Sequence, residues 1–272
     1  MYAAVLLENT AVRPGLLERH GLSLYIETEK RRILFDMGPD GAFLENAACM
    51  GIDLKGVDAA IVSHGHRDHG GGLESFLQTA AAPVYIRREA LGEYYSLRDD
   101  GRHHSLGLSI PAGQRERLVY TGPVHRLDEG LTLFSNVRGT LRLGANRRLK
   151  RLQDGRLVQD DFCHEQNLLV VSGGKSALFA GCAHSGILAI MERCRELLGR
   201  DPDLVFGGFH LYSPGTGETE PEALVQEIGR QLAKRQTVYY TGHCTGPAAF
   251  RQLKGILGER MRPLHGGMEF SF

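Results

Sequence analysis

Ile61-Val62-Ser63-His64-Gly65-His66-Arg67-Asp68-His69-Gly70-Gly71-Gly72 sets three imidazoles and one carboxylate close together, directly after an apolar run. Zinc and its first-row neighbours take neutral imidazole nitrogen and carboxylate oxygen, so His64, His66, Asp68 and His69 suit one such ion or a close pair. A strand arriving through Ala59-Ala60-Ile61-Val62 would deliver these side chains at its C-terminal edge. The flanking glycines permit backbone angles that bulkier residues forbid, so a tight loop can aim every side chain at one point. A solvated, His-rich turn is the alternative. The His-x-His-x-Asp-His order between a strand and a glycine run favours a metal site.

Beyond this stretch, the second half of the chain repeats one construction: apolar strand, glycine, histidine, helix. Residues 177–180 run into Gly181-Cys182-Ala183-His184, with a helix over 187–198 that stops at Gly199. Residues 204–206 lead to Gly207-Gly208-Phe209-His210 and a helix over 221–234, with Pro221 at its start. Residues 237–240 lead to Gly242-His243-Cys244 and a helix through Phe250 and Leu253. One such histidine could be a helix cap or a core residue. His184, His210 and His243, in step with the His64 cluster, read as one site at the strand ends, where layered α/β folds place their active loops. Earlier in the chain, strands are expected over 2–7, 22–27, 33–35 and 83–86, and helices over 44–50 and from Leu73. A Gly173-Gly174 hairpin and a terminal strand at 268–270 complete an α/β pattern with antiparallel pairs at its start.

The chain of 272 residues, 42% hydrophobic, reads as a single domain spanning 1–272. Its formal net charge of zero argues against a nucleic-acid or polyanion binder. No apolar run reaches the length of a membrane span, and no signal core opens the sequence, so a cytoplasmic setting away from membranes is expected. The five cysteines are odd in number and scattered, as reduced thiols are. Between about 92 and 161 the periodicity loosens into an irregular basic insertion carrying Arg138, Arg142, Arg147, Arg148, Lys150, Arg151 and Arg156. A solvated face is the plain reading of such a run. The sharper one is a cover that holds an anionic small-molecule substrate, since the guanidinium fork donates two parallel hydrogen bonds to phosphate or carboxylate.

His64-Gly65-His66-Arg67-Asp68-His69 resembles the signature of the metallo-β-lactamase superfamily of metallohydrolases. A narrower likeness, to a subfamily of metal-dependent hydrolases that includes a dihydropterin–ribofuranosylaminobenzene phosphate synthase, covers nearly the whole chain. It rests on Glu8-Asn9-Thr10, His20-Gly21-Leu22-Ser23, Leu34-Phe35-Asp36, Gly181-Cys182-Ala183-His184, Gly208-Phe209-His210-Leu211 and His243-Cys244-Thr245-Gly246. The resemblance implies a four-layer αβ/βα sandwich with two divalent transition-metal ions at one edge, zinc first, with iron or manganese as alternatives. It also implies that His64, His66 and a third histidine hold one ion, and that Asp68, His69 and His243 hold the other. His164 precedes a strand, as the superfamily's third histidine does. Gly181-Cys182 stands where the superfamily more often has Gly-Asp, so either Cys182 replaces the aspartate or His184 takes over; the subfamily likeness favours His184. Cys182 and Cys244 are otherwise read as packing beside the ligands.

Two close divalent ions lower the pKa of a shared water toward neutrality. Asp68 would orient that water and accept its proton, and His210 would serve the leaving group. The resulting expectation is a binuclear metal-dependent hydrolase of a small, anionic, phosphorylated molecule. The alternatives are a synthase-type condensation on the same metals, or a non-catalytic metal- or ligand-binding protein of the same fold.

Overall fold

Side-chain alternation along the strands decides the layering. In Tyr2–Leu7, Ala3 and Val5 face one way while Ala4 and Leu6 face the other, and all four are buried. The same split recurs at Lys175–Phe179, where Ala177 and Phe179 join one core and Leu178 another. Strands buried on both faces need cover on both. The computed structural model, which describes residues 1–98, 100–110, 112–139 and 143–272, supplies it as a four-layer αβ/βα sandwich.

The first sheet runs Glu269–Ser271, Tyr2–Leu7, Ser23–Glu27, Arg32–Phe35, Ala59–Ile61, Val84–Ile86, Leu118–Tyr120. It is antiparallel as far as Arg32–Phe35 and parallel beyond. The second runs Met261–Pro263, Val238–Thr241, Leu204–Phe206, Lys175–Phe179, Gln166–Ser172, Leu131–Ser135, Val124–Arg126, with the same change from parallel to antiparallel pairing. Val5, Phe35, Leu168, Phe179 and Phe206 fill the space between the sheets. Each such side chain contributes on the order of 1.5–3 kcal/mol by leaving water. Helices Ala42–Cys49 and Leu73–Thr79 cover the first sheet through Phe43 and Phe76. Helices Ile187–Leu198, Glu222–Ala233 and Pro247–Leu257 cover the second through Ile190, Ile228 and Leu253. Pro221 sits just outside its helix as the capping residue, in extended backbone, and not within the first turn.

The expectation of an irregular insertion at 92–161 is corrected. Leu118–Tyr120, Val124–Arg126 and Leu131–Ser135 are strands of the two main sheets. Tyr94–Leu97, His103–Ser105, Leu149–Gln153 and Arg156–Gln159 form a separate four-stranded antiparallel sheet. These strands are too short, and too exposed on both faces, for an apolar period of two to show. Arg142, part of the expected basic stretch, lies outside the described residues. The small sheet is pinned over the metal-type loop: Arg67 N–H donates to Leu106 O at 2.7 Å, and Leu106 N–H to Tyr94 O at 2.8 Å.

Candidate metal centre

The Ala59–Ile61 strand ends just before Ser63 and His64, and His66 in extended backbone caps the single-turn helix Arg67–Gly70, which carries Asp68 and His69. Strand ends in the second sheet bring the other histidines to the same edge. The approach is close enough to need glycine: a Cβ on Gly181 would lie 2.2 Å from Ser63 Oγ. Four residues here that are not glycine take left-handed backbone, Asp36 (φ 60°), Ala183 (φ 55°), His210 (φ 48°) and His243 (φ 48°). Each costs roughly 1–3 kcal/mol and persists because its surroundings force it.

Four groups of possible donors form among the described residues, one of them His66, Asp160 and His164, and two hold the expected ligands. The ring nitrogens of His64, His66 and His184 lie within 4.8 Å of one another, and so do the donor atoms of Asp68, His69, Cys182 and His243. Within the second set, His69 Nε2 is 3.1 Å from both Cys182 Sγ and His243 Nε2, and His243 Nε2 is 3.3 Å from Asp68 Oδ2. Nε2 of His64, His66 and His184 is buried in each case with no hydrogen-bond partner among the described residues. A desolvated polar atom without a partner costs about 1–3 kcal/mol. Three of them converging on one point fit a divalent transition ion, and the mixed N, O and S donors beside them suit a second.

The opposite ring nitrogens explain why the Nε2 atoms face inward bare. His64 Nδ1 lies 2.8 Å from Ser63 Oγ, whose proton goes to Asp36 Oδ2 at 2.7 Å. His69 Nδ1 meets that same Asp36 Oδ2 at 2.6 Å. His184 Nδ1 meets Asn146 Oδ1 at 3.0 Å and His243 Nδ1 meets Asn9 Oδ1 at 3.1 Å. Each amide's orientation is set by its own Nδ2 donating to the backbone O of the same histidine. All four partners accept, so Nδ1 carries a proton in each ring, and Nε2 is left to face the donor sets. Glu165 takes the backbone N–H of His184 and Ser185, and Glu8 that of His243 and Thr10, fixing both loops.

Electrostatics follow from this burial. Desolvation holds His64 and His184 far below the usual imidazole range, and lowers His66 despite the neighbouring Asp160 carboxylate. Burial would raise Asp68, but His69 and His243 outweigh it and keep the carboxyl well below its ordinary value. Burial pulls His243 down, yet Cys244 and Asp68 more than offset it, to about 9.

The structure brings together His64, His66, Asp68, His69, His184 and His243 as two sets, with His210 beside His184 at 4.1 Å between ring centroids. Both His210 ring nitrogens are buried without partners. His164 is satisfied otherwise: Nδ1 accepts from Gly65 N–H at 2.9 Å and Nε2 meets Asp160 Oδ2 at 3.1 Å. Reading Cys182 as packing undervalues it, because its thiol is a member of the second set and also lies with His184 and His210. Its signal in the sequence is its place, where the superfamily more often has aspartate. Cys244 borders the cavity over the site, its Sγ 3.6 Å from Cys182 O. Asp36, Asn9, Asn146 and Glu165 are missed as orienting residues. Asp36 and Asn9 stand in quoted motifs, whereas nothing local marks Asn146 or Glu165. A cavity of about 400 Å³ opens over both sets. Arg147 and Arg148 do not line it; they border a separate hollow with Glu218 and Glu220.

Residues 16–144 match the model of the metallo-beta-lactamase superfamily. A 7,8-dihydropterin-6-methyl-4-(beta-D-ribofuranosyl)-aminobenzene-5'-phosphate synthase of Methanocaldococcus jannaschii is 26% identical over 93% of this chain and 90% of its own. The crystal structure of a metal-dependent hydrolase of the beta-lactamase superfamily superposes with a TM-score of 0.83 at 25% identity, covering 100% of this chain and 99% of that one. Zn²⁺-bound PqqB from Methylobacterium extorquens shares the fold, with a TM-score of 0.57 at 14% identity over 100% of both chains. The fold is that of the metal-dependent hydrolases, and the donor sets could hold metal ions. Residues 16–144 are similar to the metallo-β-lactamase superfamily, and the whole chain is similar to the synthase and shares the fold of the metal-dependent hydrolase.

Proposed function

We propose that this chain is a binuclear metal-dependent hydrolase that activates water against a small, anionic, phosphorylated substrate. The observation that carries the reading is the set of acceptors on Nδ1 of His64, His69, His184 and His243, which turns their Nε2 atoms toward two adjoining donor sets beneath one cavity. Two bound divalent ions, zinc first with iron or manganese as alternatives, would supply Lewis acidity and lower the pKa of water toward neutrality. Asp68 is held ionised and its side chain is about a quarter exposed (23%), so Oδ2 can accept a hydrogen bond from a water and orient it. His210 borders the same cavity with both ring nitrogens uncommitted, which suits it to hydrogen-bond a leaving group.

The identity to the synthase favours a second reading, in which the same centre joins a pterin diphosphate ester to an aromatic ribose phosphate. A metal-binding protein without catalysis is less well supported, because both donor sets are complete. The five cysteines are free thiols, which fits a reducing, cytoplasmic setting, and among the described residues no helix is long and apolar enough to cross a membrane. Metal analysis of protein purified without added zinc, with a panel of phosphoesters, esters and a diphosphate-ester condensation, tests the proposal. Close to two ions per chain with phosphoester turnover supports it. Metal without turnover on any of the panel counts against it.

A further inference from the structure

The cavity over the donor sets has a second chemical character that no metal ligand explains. Arg67, from the single-turn helix, and Arg98, which follows Tyr94–Leu97 on the small sheet, both line it. Both are exposed, and neither side chain has an ion pair within 4 Å or a hydrogen bond among the described residues, although Arg98 lies near Asp100, which already pairs with Arg102. Nearby arginines are already taken: Arg102 by Asp100 at 2.5 Å, and Arg151 by Asp161 at 2.9 Å. Asp68 is the one carboxylate lining the cavity among the described residues, and it belongs to a donor set. The hydroxyls of Ser96, Ser105 and Ser213 line it as well. Two guanidinium forks with several hydroxyl donors match a tetrahedral dianion better than a planar carboxylate, whose two oxygens offer only about four acceptor sites in one plane.

We propose that Arg67 and Arg98 are specificity-determining residues that hold a phosphate group of the substrate while its reacting bond lies over the donor sets. This rests on the reading of the site as a metal-dependent centre, and it moves the anion clamp from the 138–156 stretch to the metal loop and the small sheet. Because Arg67 N–H also anchors Leu106, anion binding would hold the small sheet down on the metal loop.

The test uses zinc-loaded full-length protein as wild type, Arg67→Ala, Arg98→Ala, the double variant, Arg98→Lys, and Arg147→Ala with Arg148→Ala. Binding of inorganic phosphate and diphosphate is measured by calorimetry, with metal content checked in each variant. Each single alanine should weaken phosphate binding about tenfold, and the double variant further. Lysine at position 98 should recover part of the loss, because it keeps the charge but not the fork. Phosphate bound directly to zinc contributes equally throughout, so the differences isolate the arginines. In turnover, the preference for a phosphoester over a neutral ester should fall through a higher KM for the phosphoester. Phosphate binding by the double variant at wild-type strength, or an equal loss in the Arg147/Arg148 variant, overturns the proposal. If wild type turns over neither ester, the hydrolase reading fails while the binding arm still decides this one.

Discussion

Asp36→Asn is the most discriminating perturbation of the orienting shell. Asp36 Oδ1 takes Ser63 N–H at 2.7 Å, and Oδ2 takes both Ser63 O–H at 2.7 Å and His69 Nδ1–H at 2.6 Å. An asparagine can keep its oxygen on the backbone donor, but its NH₂ then faces Nδ1–H, donor against donor. The imidazole must either rotate or move its proton to Nε2, where it points into the Asp68, His69, Cys182 and His243 set. The lost charge-assisted hydrogen bond is worth roughly 1.5–3 kcal/mol. That agrees with the 10- to 100-fold loss of metal affinity typical when such a partner is removed. The loss should fall mainly on one of two ions, because His64 feels Asp36 only through Ser63. Chelator competition on zinc-loaded protein, read as two successive release steps, separates the ions. Asp36→Asn with two ions of wild-type affinity would refute the argument that this contact sets the His69 tautomer.

His184→Ala should drop metal content by at least one ion per chain while His164→Ala leaves it near wild type, since only His184 has an uncommitted Nε2; metal analysis giving the reverse order would restore His164 as ligand. Cobalt-loaded wild type should show a sulfur-to-cobalt absorption band that Cys182→Ser lacks, and its absence from wild type would put the thiol outside the centre. Metal-free protein should lose stability as pH falls from 7.5 to 5.5. His64, His66 and His184 have folded pKa values lowered below 6.5, so the unfolded chain gains protons that the folded chain refuses. At pH 5.5 each imidazole that stays neutral costs about 1.4 kcal/mol. Thermal melts should show the dependence reduced in His184→Ala, and a flat wild-type profile would contradict it.

What could be read in advance depended on how locally each feature is encoded. His64, His66, Asp68 and His69 fall within one turn of loop and helix, so their convergence is visible in sequence spacing alone. His184, His210 and His243 were legible because each follows a strand of at least three buried residues, which places it at a known edge of the second sheet. The strands of the small sheet carry no such pattern, so Tyr94–Leu97 and Leu149–Gln153 read as irregular in the sequence. Arg147 and Arg148 precede Leu149, which does line the cavity, yet they border a separate hollow that Glu218 and Glu220 also line. Arg67 was in view from the start, as the residue between two donors in the motif. Its side chain had no role there until the cavity showed that Asp68 is spoken for and that no other lining carboxylate among the described residues can neutralise it. Metal ligands are found by their spacing because the ion demands convergence within a few ångströms. A substrate's far end is held by residues brought together only by the fold, and at this site we assign that role to one arginine of the motif and one that follows a strand of the covering sheet, both lining the cavity.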